Sequence, residues 1–230
     1  MLARSEGWRM REFARADGLP VFAVESRNAV GPSLYLSAGI HGDEPAGPEA
    51  LIGWAQERRR VLRGCDFLIF PCLNPWGLRS NSRLDAAGRD LNRGYRGASI
   101  PLIRAQKKLV SARTFDAALM LHEDFDAHGI YLYELAGPRP HWGEKLLAAG
   151  ARHLPREPRR RVEGRTCRDG LIRARVKPDA VPHHSEAFFV GFGPTQRSLT
   201  FETPSEFSLT ARVAAHRAVL DELLRIVREG

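Results

Sequence analysis

At 230 residues, with 43% hydrophobic and 27% charged side chains, the chain has the composition of an ordinary globular domain that buries a substantial core. Net charge is +8, carried by 35 basic residues of which all but four are arginine; they are scattered, which argues against nucleic acid as the main partner. No apolar run approaches the roughly 20 residues needed to span a bilayer, so no membrane partner is expected.

Residues 1–6 carry no apolar segment of signal-peptide type, and Cys65, Cys72 and Cys167 have no CxxC spacing and cannot form a paired framework. A reducing compartment, the cytoplasm, is the expectation. Cys65 and Cys72 flank an apolar run and read as small core residues.

In chain order, residues 21–24 and 34–36 read as neighbouring strands joined by a turn near Asn28 and Gly31-Pro32. The second runs into Gly39-Ile40-His41-Gly42-Asp43-Glu44. Residues 45–60 read as a helix with an early proline, where the missing N–H costs nothing. Residues 66–70 form an apolar run of buried-strand type. Residues 71–101 hold Pro, Gly, Asn and Arg with little periodicity, a long loop of the kind that usually has a function. Residues 100–113 read as an amphipathic helix, and 117–121 as a buried strand that stops at His122-Glu123-Asp124.

Residues 130–135 alternate as a strand and 141–149 read as a helix. Residues 152–186 are dense in Arg and Pro; the run Arg156–Arg168 reads as a solvated loop or as a recruiter of acidic substrates. Residues 187–190 and 198–201 read as strands, the second stopping at Glu202-Thr203-Pro204. Residues 209–227 form a long amphipathic helix with His216 and Leu220 toward the core. Strands alternating with helices predict a single α/β domain over residues 1–230: an open, twisted, mixed but mostly parallel sheet with helices on both faces.

In such sheets ligands bind beyond the carboxyl ends of the strands. His41 and Glu44, three residues apart, face one side of a tight turn. Alone, HxxE is equally a surface turn. His122 and Glu202 stop two further strands, and with His122 the set becomes two imidazoles and a carboxylate, a donor set that suits catalytic Zn²⁺ with one position left for water.

Taken in order, His41-x-x-Glu44, Asn74-Pro75-x-Gly77, Arg83, Gly88-x-Asp90-Leu91-Asn92-Arg93, His122 and Thr200-x-Glu202-Thr203 resemble the zinc carboxypeptidase family, with its carboxypeptidase A-like catalytic domain. The related succinylglutamate desuccinylase/aspartoacylase group shares the pattern, which runs from about residue 33 to 215. The resemblance implies one Zn²⁺ per chain on His41, Glu44 and His122, and Glu202 as the general base. It implies that Arg83 stabilises the oxyanion, although Arg79 lies close enough to compete for that role. It gives Asn92 and Arg93 the substrate carboxylate, and makes Asp90 the carboxylate that orients His41.

Two departures bear on function. Digestive members carry a Tyr in a mobile loop some twenty residues before the catalytic Glu; here no Tyr follows Tyr133, and His183 and His184 occupy that stretch. Aspartoacylase-like members continue into a C-terminal β domain, whereas this chain resembles the catalytic core alone. The expectation is therefore a metallocarboxypeptidase acting on a peptide with a free carboxylate, a cell-wall peptide being one candidate. N-acyl amino acid deacylation is the chemically adjacent alternative, and a non-catalytic or nucleic-acid-binding basic protein is the remaining one. Glu123, Asp124 and Asp126 read as recognition of a basic group, as attraction of a second cation or as solvated loop charges, and Tyr131 and Tyr133 as packing residues with polar tips.

Overall fold

The computed structural model describes residues 7–28, 30–97, 99–135, 140–174, 184–195 and 197–229. Eight strands form one sheet: β1 (Arg9–Ala16), β2 (Leu19–Ser26), β3 (Ser33–Ala38), β4 (Asp66–Phe70), β5 (Ala117–Asp124), β6 (Tyr131–Leu135), β9 (Leu171–Ala174) and β10 (Ser198–Pro204). A separate two-stranded ribbon pairs β7 (Arg161–Val162) with β8 (Arg165–Thr166). The helices are α1 (Ala46–Glu57), α2 (Arg59–Leu62), α3 (Pro75–Ser80), α4 (Pro101–Val110), α5 (Gly143–Gly150), α6 (Glu186–Gly191) and α7 (Leu209–Glu229), with a 3-10 turn at Leu91–Arg93. The sheet order is β1-β2-β4-β3-β5-β10-β6-β9. Neighbours from β4 through β10 run parallel, as do β6 and β9, so the expected single-domain, mixed, mostly parallel α/β sheet is what the chain forms.

Alternation along the central strands divides the core between the two faces. Leu36, Leu119 and Phe201 pack under α1, α5 and α7 through Leu51, Trp54, Leu147, Val219 and Leu223. Tyr35, Phe70 and Met120 pack on the other face with Ile103 and Val110 of α4 and Val190 of α6. Helices thus cover both faces. No helix among the described residues is long and apolar enough to cross a membrane.

Three expectations change. Residues 9–16, which carry no strand expectation, form edge strand β1, joined to β2 through Asp17 and Gly18, both at positive φ as a two-residue hairpin requires. Its charged, largely exposed sequence suits an edge, where polar side chains deter pairing with other chains. Residues 187–190 are not a strand. They lie in α6, because Ser185 caps that helix by accepting the Phe188 N–H at 3.4 Å. Residues 71–101 are more structured than a loop, holding α3 and the 3-10 turn.

The turn after β3 is built by close backbone approach. Leu73 and Asn74 N–H groups donate to the carbonyls of Ala38 and Gly39 at 3.1 and 2.7 Å. Asn74 caps α3 by accepting from the Gly77 N–H at 2.9 Å, and its amide donates to the Leu84 carbonyl at 3.1 Å. Gly42 lies so close to α3 that a Cβ would sit 1.9 Å from the Gly77 carbonyl carbon, so only glycine fits at position 42, directly after His41. Gly42→Ala should therefore cost about 2 kcal/mol or more of stability, read as a lowered midpoint in urea denaturation. An unchanged midpoint would show that the contact is not tight.

Candidate metal centre and substrate cavity

The parallel register of β5 and β10 places His122 beside Glu202, and the antiparallel register of β6 places Tyr131 on the other side of Glu202. The turn after β3 brings His41 and Glu44 to the same sheet end. His41 Nδ1 lies 2.5 Å from Glu44 Oε1, and His122 Nδ1 lies 2.9 Å from Glu44 Oε2. All three residues are buried, and one ligand atom from each lies within 4.8 Å of the others.

This donor set fits a metal ion. Both imidazoles aim Nδ1 at one carboxylate, and the far nitrogen of His41, Nε2, meets Asp90 Oδ1 at 3.2 Å. That contact favours the tautomer with the proton on Nε2 and the Nδ1 lone pair free. Asp90 also accepts the Asn92 N–H at 2.9 Å, so the carboxylate that holds His41 also caps the 3-10 turn.

Charge coupling within the cluster is strong. Burial pulls the His41 imidazolium down, but the Glu44 charge and hydrogen bonds to Asp90 and Glu44 outweigh it and raise His41 to about 9. Burial pushes the Glu44 carboxyl up, yet His122 and His41 hold it at about 2. His122 moves upward for the same reason as His41, burial opposing and Glu44 prevailing. Burial raises Glu202; His122 opposes this while Glu44, Glu163 and Asp124 add to it, and the result is about 8.

The cluster opens into a cavity of about 800 Å³. Arg83, Asn92, Arg93 and Glu202 all line it, whereas Arg79 is exposed on α3 away from the lining. Arg83 reaches Asp90 at 3.2 Å and Glu44 at 3.5 Å. Asn92 Oδ1 accepts the Glu186 N–H at 2.9 Å, and the Arg93 side chain is exposed along the wall.

The sequence alone did not place the other wall residues in this cavity. The β7–β8 ribbon brings Val162, Glu163 and Arg165 to the cavity, so the Arg156–Arg168 run is in part cavity wall rather than solvated loop. Within that run Arg159 is paired with Glu157 at 2.7 Å and Arg156 with Glu144 and Asp169, each at 2.7 Å. Phe125, 79% exposed, and Phe188 of α6 add apolar surface. Tyr131 donates to Asp124 at 2.8 Å and Tyr133 to Glu163 at 2.7 Å, so both are packing residues with polar tips that also face the cavity.

Glu123 is neither a recognition group nor a solvated charge. Its buried carboxylate accepts the N–H of Ala46, the first residue of α1, at 2.6 Å and pairs with Arg212 of α7. It locks two helices to the strand that carries His122. His184 contributes its carbonyl to the Tyr95 N–H, while His183 lies outside the described residues.

Residues 30–128 match the family model of the Succinylglutamate desuccinylase/Aspartoacylase catalytic domain. No curated protein matches the chain in sequence. Among solved structures, a candidate metallopeptidase from Shewanella amazonensis SB2B superposes with a TM-score of 0.88 at 21% identity, over 99% of this chain and 90% of that one. A metallo-carboxypeptidase from Burkholderia cenocepacia gives 0.68 at 21% identity, over 95% of this chain and 64% of the other. A succinylglutamate desuccinylase from Silicibacter sp. TM1040 gives 0.61 at 16% identity, over 96% and 67%. At these identities the structural likeness is one of fold. The chain thus resembles the zinc carboxypeptidase family, with its succinylglutamate desuccinylase/aspartoacylase group, in fold along almost its whole length and in sequence over residues 30–128.

Proposed function

We propose that this chain is a zinc-dependent metallocarboxypeptidase that hydrolyses the amide bond next to a free carboxylate in a peptide. The observation that carries this reading is the convergence of a buried His41-Glu44-His122 group with Glu202, Arg83, Asn92 and Arg93 on one cavity. Zinc, when bound, supplies polarisation of the scissile carbonyl and an acidified water. His41 and His122 would hold it through Nδ1 and Glu44 through its carboxylate, with Asp90 keeping His41 in the correct tautomer.

Each protein group then has a defined task. Glu202, raised by its surroundings and seated between His122 and Tyr131, takes the proton of the attacking water and delivers it to the leaving amine. Arg83, anchored by Glu44 and Asp90, offers its guanidinium to the carbonyl oxygen as negative charge develops. Arg93 grips the substrate carboxylate with two parallel N–H donors, and Asn92 adds its amide. The cavity, at about 800 Å³, has room for the end of a peptide as well as for an N-acyl amino acid.

Metal content is the first readout. The purified protein should bind about one zinc per chain, and His122→Ala should lose it. Because His41 is raised to about 9 and His122 is raised as well, and both rings must give up their Nδ1 protons to bind, zinc affinity should rise with pH, by about tenfold or more per unit over pH 6 to 8. Affinity independent of pH between 6 and 8 would place the metal elsewhere.

Activity is the second. Glu202→Gln should lower kcat by roughly 10²–10⁴ on a susceptible peptide while metal content holds. The ionised Glu202 is the active form, so kcat/KM should fall on the acid side; a bound dication favours the carboxylate and moves that limb below about 8. Replacing the substrate's terminal carboxylate with an amide should raise KM. Turnover of N-acyl amino acids with none of peptides would transfer the same residues to deacylation.

A further inference from the structure

Beside the cavity wall, four side chains from separate parts of the chain form a polar cluster within an otherwise apolar layer. Glu186, which opens α6, is 1% exposed. Its Oε1 accepts from the Tyr35 hydroxyl on β3 and from Gln106 Nε2 on α4, the latter at 2.8 Å. Gln106 Nε2 also donates to the Tyr35 oxygen at 2.8 Å, and Gln106 Oε1 accepts the Tyr95 hydroxyl at 2.5 Å. Tyr35, Tyr95 and Gln106 are as deeply buried as Glu186. The donors run in one consistent direction, Tyr95 to Gln106 and then, with Tyr35, to Glu186.

A carboxyl group in such a layer is costly to desolvate, and an apolar side chain of similar size would fill the space at less cost. Its position suggests what it does. The Glu186 backbone N–H donates to Asn92 Oδ1 at 2.9 Å, and the Tyr95 N–H donates to the His184 carbonyl at 3.2 Å. Two rungs therefore join residues 184–186 to residues 92–95, and the polar cluster fastens both segments to β3 and α4. Ser185, Ala187 and Phe188, on either side of Glu186, line the cavity together with Asn92 and Arg93.

We propose that Glu186 is a positioning residue for recognition of the substrate carboxylate: its buried carboxyl, tied to Tyr35 and Gln106, fixes the start of α6, which holds Asn92 and through it Arg93. This rests on the reading of Asn92 and Arg93 as the carboxylate-binding pair. Glu186 itself touches no reacting atom. Its loss should weaken binding of a carboxylate while leaving the metal centre and the chemical step in place.

The test compares zinc-loaded wild type, Glu186→Gln, Glu186→Ala and Tyr35→Phe. Calorimetry measures binding of benzylsuccinic acid, a dicarboxylate with one group for the metal and one for the Asn92–Arg93 pair. Hydrogen exchange follows the amides of residues 90–96 and 184–188. Glu186→Ala should weaken the probe about tenfold or more and speed exchange in both segments, with zinc retained. Glu186→Gln keeps an acceptor oxygen in place and should stay within about threefold of wild type. Tyr35→Phe removes one bond to the carboxyl and should fall between them, so it decides the matter if Glu186→Ala does not fold.

Wild-type binding and exchange in both Glu186→Ala and Tyr35→Phe would overturn the proposal. So would Glu186→Gln as impaired as Glu186→Ala, which would assign the effect to charge and not to position. If wild type itself fails to bind the probe, the reading of Asn92 and Arg93 fails. The exchange measurements then still decide whether Glu186 holds the turn.

Discussion

A carboxylate buried between two imidazoles is the constraint on which the rest of the site depends. Glu44 sits 2.5 Å from one ring nitrogen and 2.9 Å from another, with hardly any surface exposed to water. A buried anion of this kind is tolerable only if positive charge accompanies it. Protons on the two rings supply that charge when no metal is bound, which is why His41 is driven up and Glu44 down. A divalent cation supplies it with better geometry. On the proposed reading, protons and metal compete for the same three residues, and Asp90 would bias the outcome by occupying the other side of His41.

Holding those three groups together falls to short polar side chains that bond to backbone. Asn74 caps α3 beneath the His41–Glu44 turn. Asp85 gathers the N–H groups of Ala87 and Arg89 at 3.0 and 2.9 Å, and Asp90 caps the turn that presents Asn92 and Arg93. On the opposite face of β5, Glu123 binds the first N–H of α1 and Arg212 of α7, so the strand carrying His122 is fixed by two helices. The loops are irregular in sequence because their conformation is specified one hydrogen bond at a time.

This division explains what could be read in advance. The central strands and the helices α1, α4, α5 and α7 were legible because their apolar spacing reports burial directly. His41, Glu44, His122 and Glu202 were legible because all lie at one sheet end, the first two in the turn after β3. His122 and Glu202 do not stop their strands as expected but lie near the ends of β5 and β10, which run on to Asp124 and Pro204. Residues 187–190 misled, since Ala-Phe-Phe-Val is an apolar run too short for periodicity to separate strand from helix. The Ser185 cap was the available signal. Strand β1 was hidden by its charges, and the β7–β8 ribbon by the density of arginine, whose partners are distant in sequence or set by turns. Glu186 carried no local sign at all; its partners Tyr35 and Gln106 are 151 and 80 positions away, and only folding assembles them.

The central claim, that His41, Glu44 and His122 hold a catalytic metal with an open position, is tested most directly by X-ray absorption at the zinc edge on the zinc-loaded protein. The account predicts two imidazole nitrogens at about 2.0–2.1 Å, carboxylate oxygen at about 2.0–2.2 Å and a remaining light-atom ligand that exchanges with an added anion. A sulfur ligand near 2.3 Å, or four protein ligands that no anion displaces, would contradict it.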